Sequence, residues 1–447
     1  MKKNNKQRLL FIAFLFICFS AIVVIYIYKT NRKYTAIPDA NFEQALIDTG
    51  IDSGSIDGEV ETANIARITD LNVSNKSIED LTGIQDFIAL IKLNCYSNRL
   101  KTLDLSKNRA LKELYCYWNQ LTILNVSNNK DLMRLQVYSN KLSSLDVSKN
   151  LALTHLSCHG NKLTSLDISR NTSLTEIYFG DNLLTDIDVT KNKALTKMYF
   201  YNSQLKTLDV TQNKALIELN CQRNHLTTLD VTQNKGLTKL VCGMNQLKVL
   251  DLTKNTSLTQ LHCIRTLLKH LDLTKNTGLT KLDCSTNQLT LLDIKRNTAL
   301  TELNCSNNPL KILDLTKNIL LTSLKCSEDK LTSLDVRKNT GLTTLECSHN
   351  SLSTLNLINN TNLANLACEN NQLTELDITE NIVLIKLNCS SNKLTTLNIQ
   401  NGNNISIIDF DATQNPGLKC IKADFKMPKS IMWYKDHNAN YSTTACE

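Results

Sequence analysis

A single period governs most of this chain: one pattern recurs every 21 residues, fifteen times without a break. Each copy contains an apolar run, then an Asn or another polar residue, and then Leu-x-x-Leu-Asp or a close variant. The second Leu, replaced once by Ile, falls at Leu103, Leu124, Leu145, Leu166, Ile187, Leu208, Leu229, Leu250, Leu271, Leu292, Leu313, Leu334, Leu355, Leu376 and Leu397. A fixed period of this length indicates a solenoid, whose turns bury their apolar faces only by stacking on each other.

The first half of each copy has the alternation of a β-strand. In the segment LKELYCYWNQL, Leu114 and Cys116 alternate with Tyr115 and Tyr117, so the two pairs face opposite sides of a strand. The second half is too short for a crossover α-helix, which predicts an extended, 3₁₀ or turn-like return path. The β-branched residues after the Asp, such as Val147, favour a short second strand. The Asp itself is predicted to accept a hydrogen bond from a nearby backbone N–H.

A column of cysteines follows the same period. Its twelve members are Cys95, Cys116, Cys158, Cys221, Cys242, Cys263, Cys284, Cys305, Cys326, Cys347, Cys368 and Cys389. The three other rungs are the apolar residues Val137, Phe179 and Phe200. The position is therefore predicted to be buried and to accept Cys as a small hydrophobic residue. Parallel Cβ atoms at the strand spacing do not converge to disulfide geometry, so we expect reduced thiols.

These residues resemble the leucine-rich repeat. The pattern LxxLxCxxNxL, as in LTELNCSNNPL at 300–310, is similar to the family consensus, with Cys at its last core rung. The segment SIEDLTGI at 77–84 resembles the bacterial internalin-like class, and PDANFEQALIDTG at 38–50 resembles the N-terminal cap of such surface proteins. The resemblance implies an α/β-type solenoid that is mostly β, with one parallel concave β-sheet and short or turn-like convex segments. It also implies a non-catalytic protein that binds other macromolecules on the concave sheet.

The chain is expected to contain four parts. Residues 1–33 form an N-terminal membrane anchor or signal segment, 34–67 a cap with a short helix, 68–421 the repeats, and 422–447 a C-terminal cap. The run Leu9–Tyr28 has no charged residue and is long enough to cross a bilayer, and the basic residues before it favour an exported repeat region. If this segment is instead a cleaved signal peptide, the protein is secreted. In an oxidising compartment Cys420 and Cys446 are expected to form a disulfide.

Aromatic residues point to a binding surface. No Phe, Tyr or Trp occurs from Asn202 to Asp409, whereas eight precede this stretch at outward strand positions or beside them. They are Tyr96, Tyr115, Tyr117, Trp118, Tyr138, Tyr178, Tyr199 and Tyr201. At the strand spacing these side chains are expected to form one patch on the concave face, and Tyr and Trp commonly supply binding hot spots. The alternative is that the rings only pack on one another.

Other function classes fit the sequence less well. Nucleic-acid binding would need basic residues concentrated on one face, and no catalytic constellation recurs. A straight row of thiols does not offer the tetrahedral ligand set of zinc, so no metal and no cofactor are expected. A column of basic residues on the convex turns either keeps the surface solvated or holds acidic glycans or lipid. The sequence therefore predicts an exported binding protein for a protein or glycan. The alternative is an adaptor-like scaffold without a focused site.

Overall fold

The computed structural model describes residues 33–424 and 433–444, which form two compact units. The first unit ends at Lys162 and the second begins at Leu163. The segment Leu9–Tyr28 and Cys446 lie outside the described residues, so the anchor and the disulfide remain predictions. Within the described ranges no helix combines the length and apolarity that crossing a membrane requires.

The first unit begins with a small cap. Its elements are β1 (Tyr34–Ala36), α1 (Ala40–Asp48), β2 (Glu59–Glu61) and α2 (Thr62–Ile65), and β1 pairs antiparallel with β2. The helix α1 starts after Asp39, whose carboxylate accepts the backbone N–H groups of Asn41 and Phe42. Phe42, Ala45 and Leu46 are buried, as the amphipathic pattern predicts. The cap thereby covers the apolar end of the first turn, which would otherwise be exposed to solvent.

The rest of the first unit is a stack of turns with parallel strands. These elements are β3 (Asp70–Asn72), the 3₁₀ helix η1 (Ile84–Asp86), β4 (Lys92–Asn94), β5 (Glu113–Tyr115), β6 (Arg134–Gln136) and β7 (His155–Ser157). Residues one repeat apart lie opposite each other, as Leu93 does to Leu114 and Leu114 to Leu135. The middle residue of each strand is buried, and in β4, β5 and β6 both of its neighbours are partly exposed, which confirms the predicted alternation.

The second unit continues the same construction in two sheets. Its main sheet contains β8 (Glu176–Tyr178), β9 (Lys197–Tyr199), β10 (Glu218–Asn220), β11 (Lys239–Val241), β12 (Gln260–His262), β13 (Lys281–Asp283), β14 (Glu302–Asn304), β15 (Ser323–Lys325), β16 (Thr344–Glu346), β17 (Asn365–Ala367), β19 (Lys386–Asn388), β21 (Asp409–Ala412) and β23 (Trp433–Lys435). A second parallel sheet contains β18 (Glu375–Asp377), β20 (Thr396–Asn398), β22 (Cys420–Lys422) and β24 (Asn440–Ser442). The 3₁₀ helix η2 (Asn404–Ser406) precedes β21. Because β23 pairs with β21 and β24 with β22, part of the expected C-terminal cap forms a further turn of the stack.

The second strand of the repeat differs from its prediction in place and extent. In the described turns this second strand is present only from β18 onward, and β18 ends at the Asp of its repeat, Asp377, instead of following that Asp. The reason is the turn that the Asp makes: the Asp146 carboxylate accepts the backbone N–H of Ser148, as predicted for this residue type, and this redirects the chain. Val147 is consequently buried in the core and does not extend a surface strand.

Two polar columns hold neighbouring turns together. At the end of β5, the Asn119 amide nitrogen donates to the carbonyl oxygens of Cys95 and Cys116 at 3.0 and 3.2 Å, and its Oδ1 accepts the Leu100 N–H at 3.0 Å. In the second column, on the return path, the fully buried Asn129 donates to the carbonyls of Leu105 and Asn108 in the preceding turn. These Asn rungs therefore pair backbone groups that strands alone leave unsatisfied.

The cysteine column lies in the core, as predicted. All twelve cysteines are buried, and none of them is bridged by a disulfide. Burial in apolar surroundings raises the pKa of the Cys95 thiol to about 12, and it acts in the same direction on the others. Thiolates are therefore disfavoured at neutral pH, so these residues act as packing groups and not as nucleophiles.

Candidate binding surface

The outward side of the main sheet, here called the strand face, carries three columns of side chains in the first unit. The first column consists of acidic and basic side chains and contains Asp70, Lys92, Glu113, Arg134 and His155. The second contains Asn72, Asn94, Tyr115, Gln136 and Ser157. The third, just beyond the strands, contains Tyr96, Tyr117, Tyr138 and His159. The columns form because the 21-residue period returns each side chain to the same place in successive turns.

The third column is a continuous stack of rings. The ring centroids are 4.5 Å apart between Tyr96 and Tyr117, and 4.3 Å apart both between Tyr117 and Tyr138 and between Tyr138 and His159. The planes deviate from parallel by at most 10°. The faces of Tyr117 and Tyr138 are therefore covered by neighbouring rings, so a partner meets mainly the edges and hydroxyl groups of this stack. Sequence reasoning missed His159, although it lies one repeat after Tyr138.

Trp118 lies at the side of this stack. Its indole meets Tyr117 edge-on at 5.3 Å and Tyr138 at 6.1 Å, and 54% of its surface remains exposed. Its φ of +54° places it in a left-handed turn after the strand, a position that Ser97 and Ser139 occupy in adjacent repeats. The sequence predicted Trp118 beside the tyrosines, and the structure adds that it leaves one large aromatic side chain open to solvent.

Tyr115 belongs to the second column and forms a hydrogen bond with a residue of the first column. Its hydroxyl donates to the Glu113 carboxylate at 2.8 Å. Burial first, and then this bond, raises the pKa of Tyr115 to about 12, and burial likewise raises that of Tyr117 to about 12. Both phenols therefore remain protonated at physiological pH and can donate or accept hydrogen bonds. Beside them, Lys92 forms an ion pair with Asp70 at 3.2 Å, so part of the charge in the first column is neutralised internally.

The remaining three predicted residues lie in the second unit. Tyr178 and Tyr199 stack with centroids 4.7 Å apart, and their hydroxyls donate to Glu176 and Glu218. Tyr201 packs differently, because its ring lies directly against the backbone at Gly180. The space between them is so small that a Cβ atom added to Gly180 would come within 2.9 Å of the ring. Each unit thus contains a ring stack, and Tyr201 lies on the backbone at Gly180. The rings do pack on one another, and Trp118 and the ring edges remain accessible as well.

The part of the second unit without aromatics has a different strand face. Lys281 pairs with Glu302 at 2.7 Å, and Lys325 pairs with Glu346 at 2.8 Å. A cleft of about 510 Å³ lies over strands β15, β16, β17 and β19, where Thr344, Asn365 and Ala367 provide short side chains. Sequence reasoning missed this cleft, and the small residues at these positions are the sequence feature that indicates it. In the described ranges no group of three or more His, Cys, Asp or Glu side chains is placed to hold a metal ion.

Solved structures share this fold. The functional domain of InlJ from Listeria monocytogenes, which includes a cysteine ladder, is 33% identical over 87% of this chain and 82% of its own, with a TM-score of 0.77. The internalin InlF from the same species is 21% identical over 75% of this chain and 95% of its own, with a TM-score of 0.60. The Arabidopsis receptor kinase HAESA, in complex with the peptide hormone IDA and the co-receptor SERK1, is 18% identical over 84% of this chain and 79% of its own, with a TM-score of 0.59. No protein-family model and no curated protein sequence matches the chain.

The 21-residue turns, the parallel main sheets and the Leu, Cys and Asn columns define a leucine-rich-repeat protein, which confirms the predicted fold. The similarity to the functional domain of InlJ extends over most of both chains and includes the cysteine column. The chain belongs to the internalin-like class of bacterial leucine-rich-repeat proteins.

Proposed function

We propose that this chain is a non-catalytic, exported binding protein that recognises a protein partner with the strand face of its first unit. The observation that carries the proposal is the stack of Tyr96, Tyr117, Tyr138 and His159 with Trp118 exposed at its side. No other part of the described strand face offers a comparable concentration of large aromatic side chains.

Two physical arguments support this surface as a binding site. Tyr and Trp offer large amphipathic contact areas at little cost in side-chain entropy, and stacking at 4.3–4.5 Å already restricts these rings before a partner arrives. Next to the rings, Asn94, Tyr115 and Gln136 provide amide and hydroxyl groups for hydrogen bonds. This mixture of stiff aromatic and adaptable polar side chains is typical of protein-binding surfaces such as antibody paratopes. HAESA, which has a similar fold, forms a complex with a peptide hormone, and this supports a protein or peptide partner for the present chain.

The class of the partner can be tested directly. Membrane and secreted proteins of a candidate target cell are immobilised, and binding of the full-length protein to them is measured. The measurement is repeated after the immobilised material has been treated with a protease or with periodate, which destroys glycans. We expect protease treatment to abolish binding and periodate to leave it within about twofold of the untreated sample, because a protein partner owes its contacts to side chains and backbone. The opposite pattern would assign the surface to a glycan.

The cleft over β15–β17 and β19 favours a second candidate function, a scaffold that binds partners along its whole length. There, short polar side chains lie between the ion pair Lys325–Glu346 and the wider pair Lys386–Asp409, at 2.8 and 3.9 Å. Such a surface adds polar contacts without a large hydrophobic anchor. The two candidates differ in where binding energy is concentrated, which mutations in the two units distinguish.

Export is the second part of the proposal, with Leu9–Tyr28 as a single-pass anchor. Full-length protein is then expected in membranes washed with alkaline carbonate, and protease added outside the cytoplasmic membrane is expected to degrade the repeats. In the same preparation mass spectrometry is expected to find Cys420 linked to Cys446, while the buried ladder thiols become alkylatable only after unfolding. A soluble mature chain that begins near Lys29 would replace the anchor with a cleaved signal peptide.

A further inference from the structure

One rung of the polar column at the strand ends differs in kind from the others. At the neighbouring rung, the Asn350 amide nitrogen donates to the carbonyls of Cys326 and Cys347 at 2.8 and 3.0 Å, and its Oδ1 accepts the Leu331 N–H at 3.0 Å. Most rungs repeat this arrangement, whereas position 329 is an Asp. An ionised carboxylate can only accept hydrogen bonds, so the donor that joins two turns is missing at this rung.

The side chain of Asp329 is nevertheless inside the protein, with only 7% of its surface exposed. One carboxylate oxygen accepts the backbone N–H of Asn308 at 2.8 Å, and the other accepts a long hydrogen bond from the Cys305 thiol at 4.0 Å. By the spacing of the other rungs, the carbonyls that an Asn would bind here are those of Cys305 and Cys326. A carboxylate at this depth loses most of its hydration, which disfavours the charged form, whereas a protonated carboxyl has a proton to donate to one of these carbonyls.

The groups around Asp329 favour its neutral form. From its own turn and the two preceding ones the thiols of Cys284, Cys305 and Cys326 line the apolar side, and the exposed Glu328 adds a negative charge next to it. On the strand face the charges of Lys325 and Glu346 are paired with each other. Burial raises the pKa of Asp329 to about 8, the Asn308 N–H opposes this shift, and Glu328 adds to it.

We propose that Asp329 is a protonation-dependent rung of the ladder: its neutral carboxyl donates to a backbone carbonyl as an Asn would, and loss of the proton loosens the turns that contain β14–β16. The chemistry needed is a single proton exchanged with solvent. Strands β15 and β16 contribute to the cleft of the second unit, so the protonation state of a buried residue affects the local order of a surface exposed to partners.

The sign of the pH dependence follows from the two states. In the unfolded or locally open chain Asp329 has its ordinary pKa of 3.8, and in the closed turn its pKa is about 8. The stabilisation by the neutral form is therefore fully present below pH 3.8 and is lost as pH rises through 8. Between these values the open form binds fewer protons, so the opening equilibrium constant rises by up to about tenfold per pH unit.

Hydrogen exchange of the full-length protein tests this inference. Protection factors of amides in β14–β16, corrected for intrinsic exchange rates, are measured from pH 4 to 9 for the wild type, Asp329→Asn and Glu328→Gln. In the wild type we expect protection to fall at least about tenfold between pH 6 and 9. In Asp329→Asn the fall is expected to disappear because the amide restores both donors, whereas the exposed neighbouring charge removed in Glu328→Gln is expected to leave most of it.

A reciprocal variant keeps the test decisive if Asp329→Asn does not fold. Asn245 has the full set of rung contacts, so Asn245→Asp is expected to create a second pH-dependent fall in protection around β11. Equal pH dependence in the wild type and Asp329→Asn, or none created by Asn245→Asp, would overturn the proposal. Loss of the pH dependence in Glu328→Gln alone would reassign it to Glu328.

Discussion

Replacement of Tyr117, Tyr138 and Tyr199 together with Ala is expected to weaken binding of the protein partner at least about 100-fold. Truncation of an aromatic hot spot typically costs about 2 kcal/mol or more, although such losses are not additive. Tyr117 and Tyr138 are inner members of the first ring stack, so their removal also withdraws support from Trp118. Tyr199 extends the replacement to the ring pair in the second unit. The measurement is the dissociation constant, by calorimetry or surface plasmon resonance.

A matched control lies at the equivalent repeat position in the aromatic-free part of the second unit. Ser285, Ser306 and Ser327 fall at the same place in the repeat as Tyr117, so their triple replacement with Ala tests this column without altering a ring. We expect a change of less than about threefold in affinity, since these residues lack hot-spot character. Circular dichroism and urea unfolding of both triple variants separate lost binding from lost structure. Equal losses in the two variants would support the scaffold that binds along its length.

Asn245→Ala is expected to lower the free energy of unfolding of the surrounding turns by about 3–5 kcal/mol. The side chain accepts the Leu226 N–H at 3.0 Å and donates to the carbonyls of Cys221 and Cys242, each at 2.9 Å. Removal leaves three buried backbone groups without these partners, and each such group costs about 1–3 kcal/mol. Urea unfolding followed by hydrogen exchange at β10–β12 measures the effect where it arises, since repeats couple mainly to their neighbours.

The adjacent side chain provides the control for this prediction. Gln246 is exposed, so Gln246→Ala is expected to change stability by less than about 0.5 kcal/mol. Asn245→Thr should fall between the two, because Thr266 occupies a natural rung and still donates to the Cys263 carbonyl at 3.1 Å. If Asn245→Ala were as stable as the wild type, the ladder of side-chain bonds would not be what holds the turns together.

The fold could be predicted because its determinants recur. One Leu, one Cys and one Asn at fixed spacing fix the register of every turn, so reading a single repeat such as LKELYCYWNQL describes nearly all of them. The N-terminal helix could be predicted equally well, because Asp39 is a favourable N-cap residue and the spacing of Phe42 and Leu46 is that of an amphipathic helix. Local chemistry and long-range packing agree at these positions.

The binding surface was harder to predict because it depends on deviations from the repeat. The period shows that Tyr117 and Tyr138 share a column, but not that their faces are covered by each other. Tyr201 has the equivalent position in its own repeat, yet the backbone at Gly180 lies under its ring. Asp329 similarly reads as one more polar rung, and only its burial and its contact with Asn308 reveal that it lacks the donor its neighbours have.

Hydroxyl-radical footprinting of the full-length protein with and without its partner tests the central claim most directly, because it reports the solvent access of individual side chains. Trp118 is 54% exposed and Ile312, in the aromatic-free part of the chain, is 69% exposed, so both are readily modified in the free protein. Binding at the first ring stack predicts strong protection of Trp118, Tyr117 and Tyr138, with the modification rate of Ile312 unchanged. Unchanged modification of Trp118 at saturating partner concentration would contradict the account.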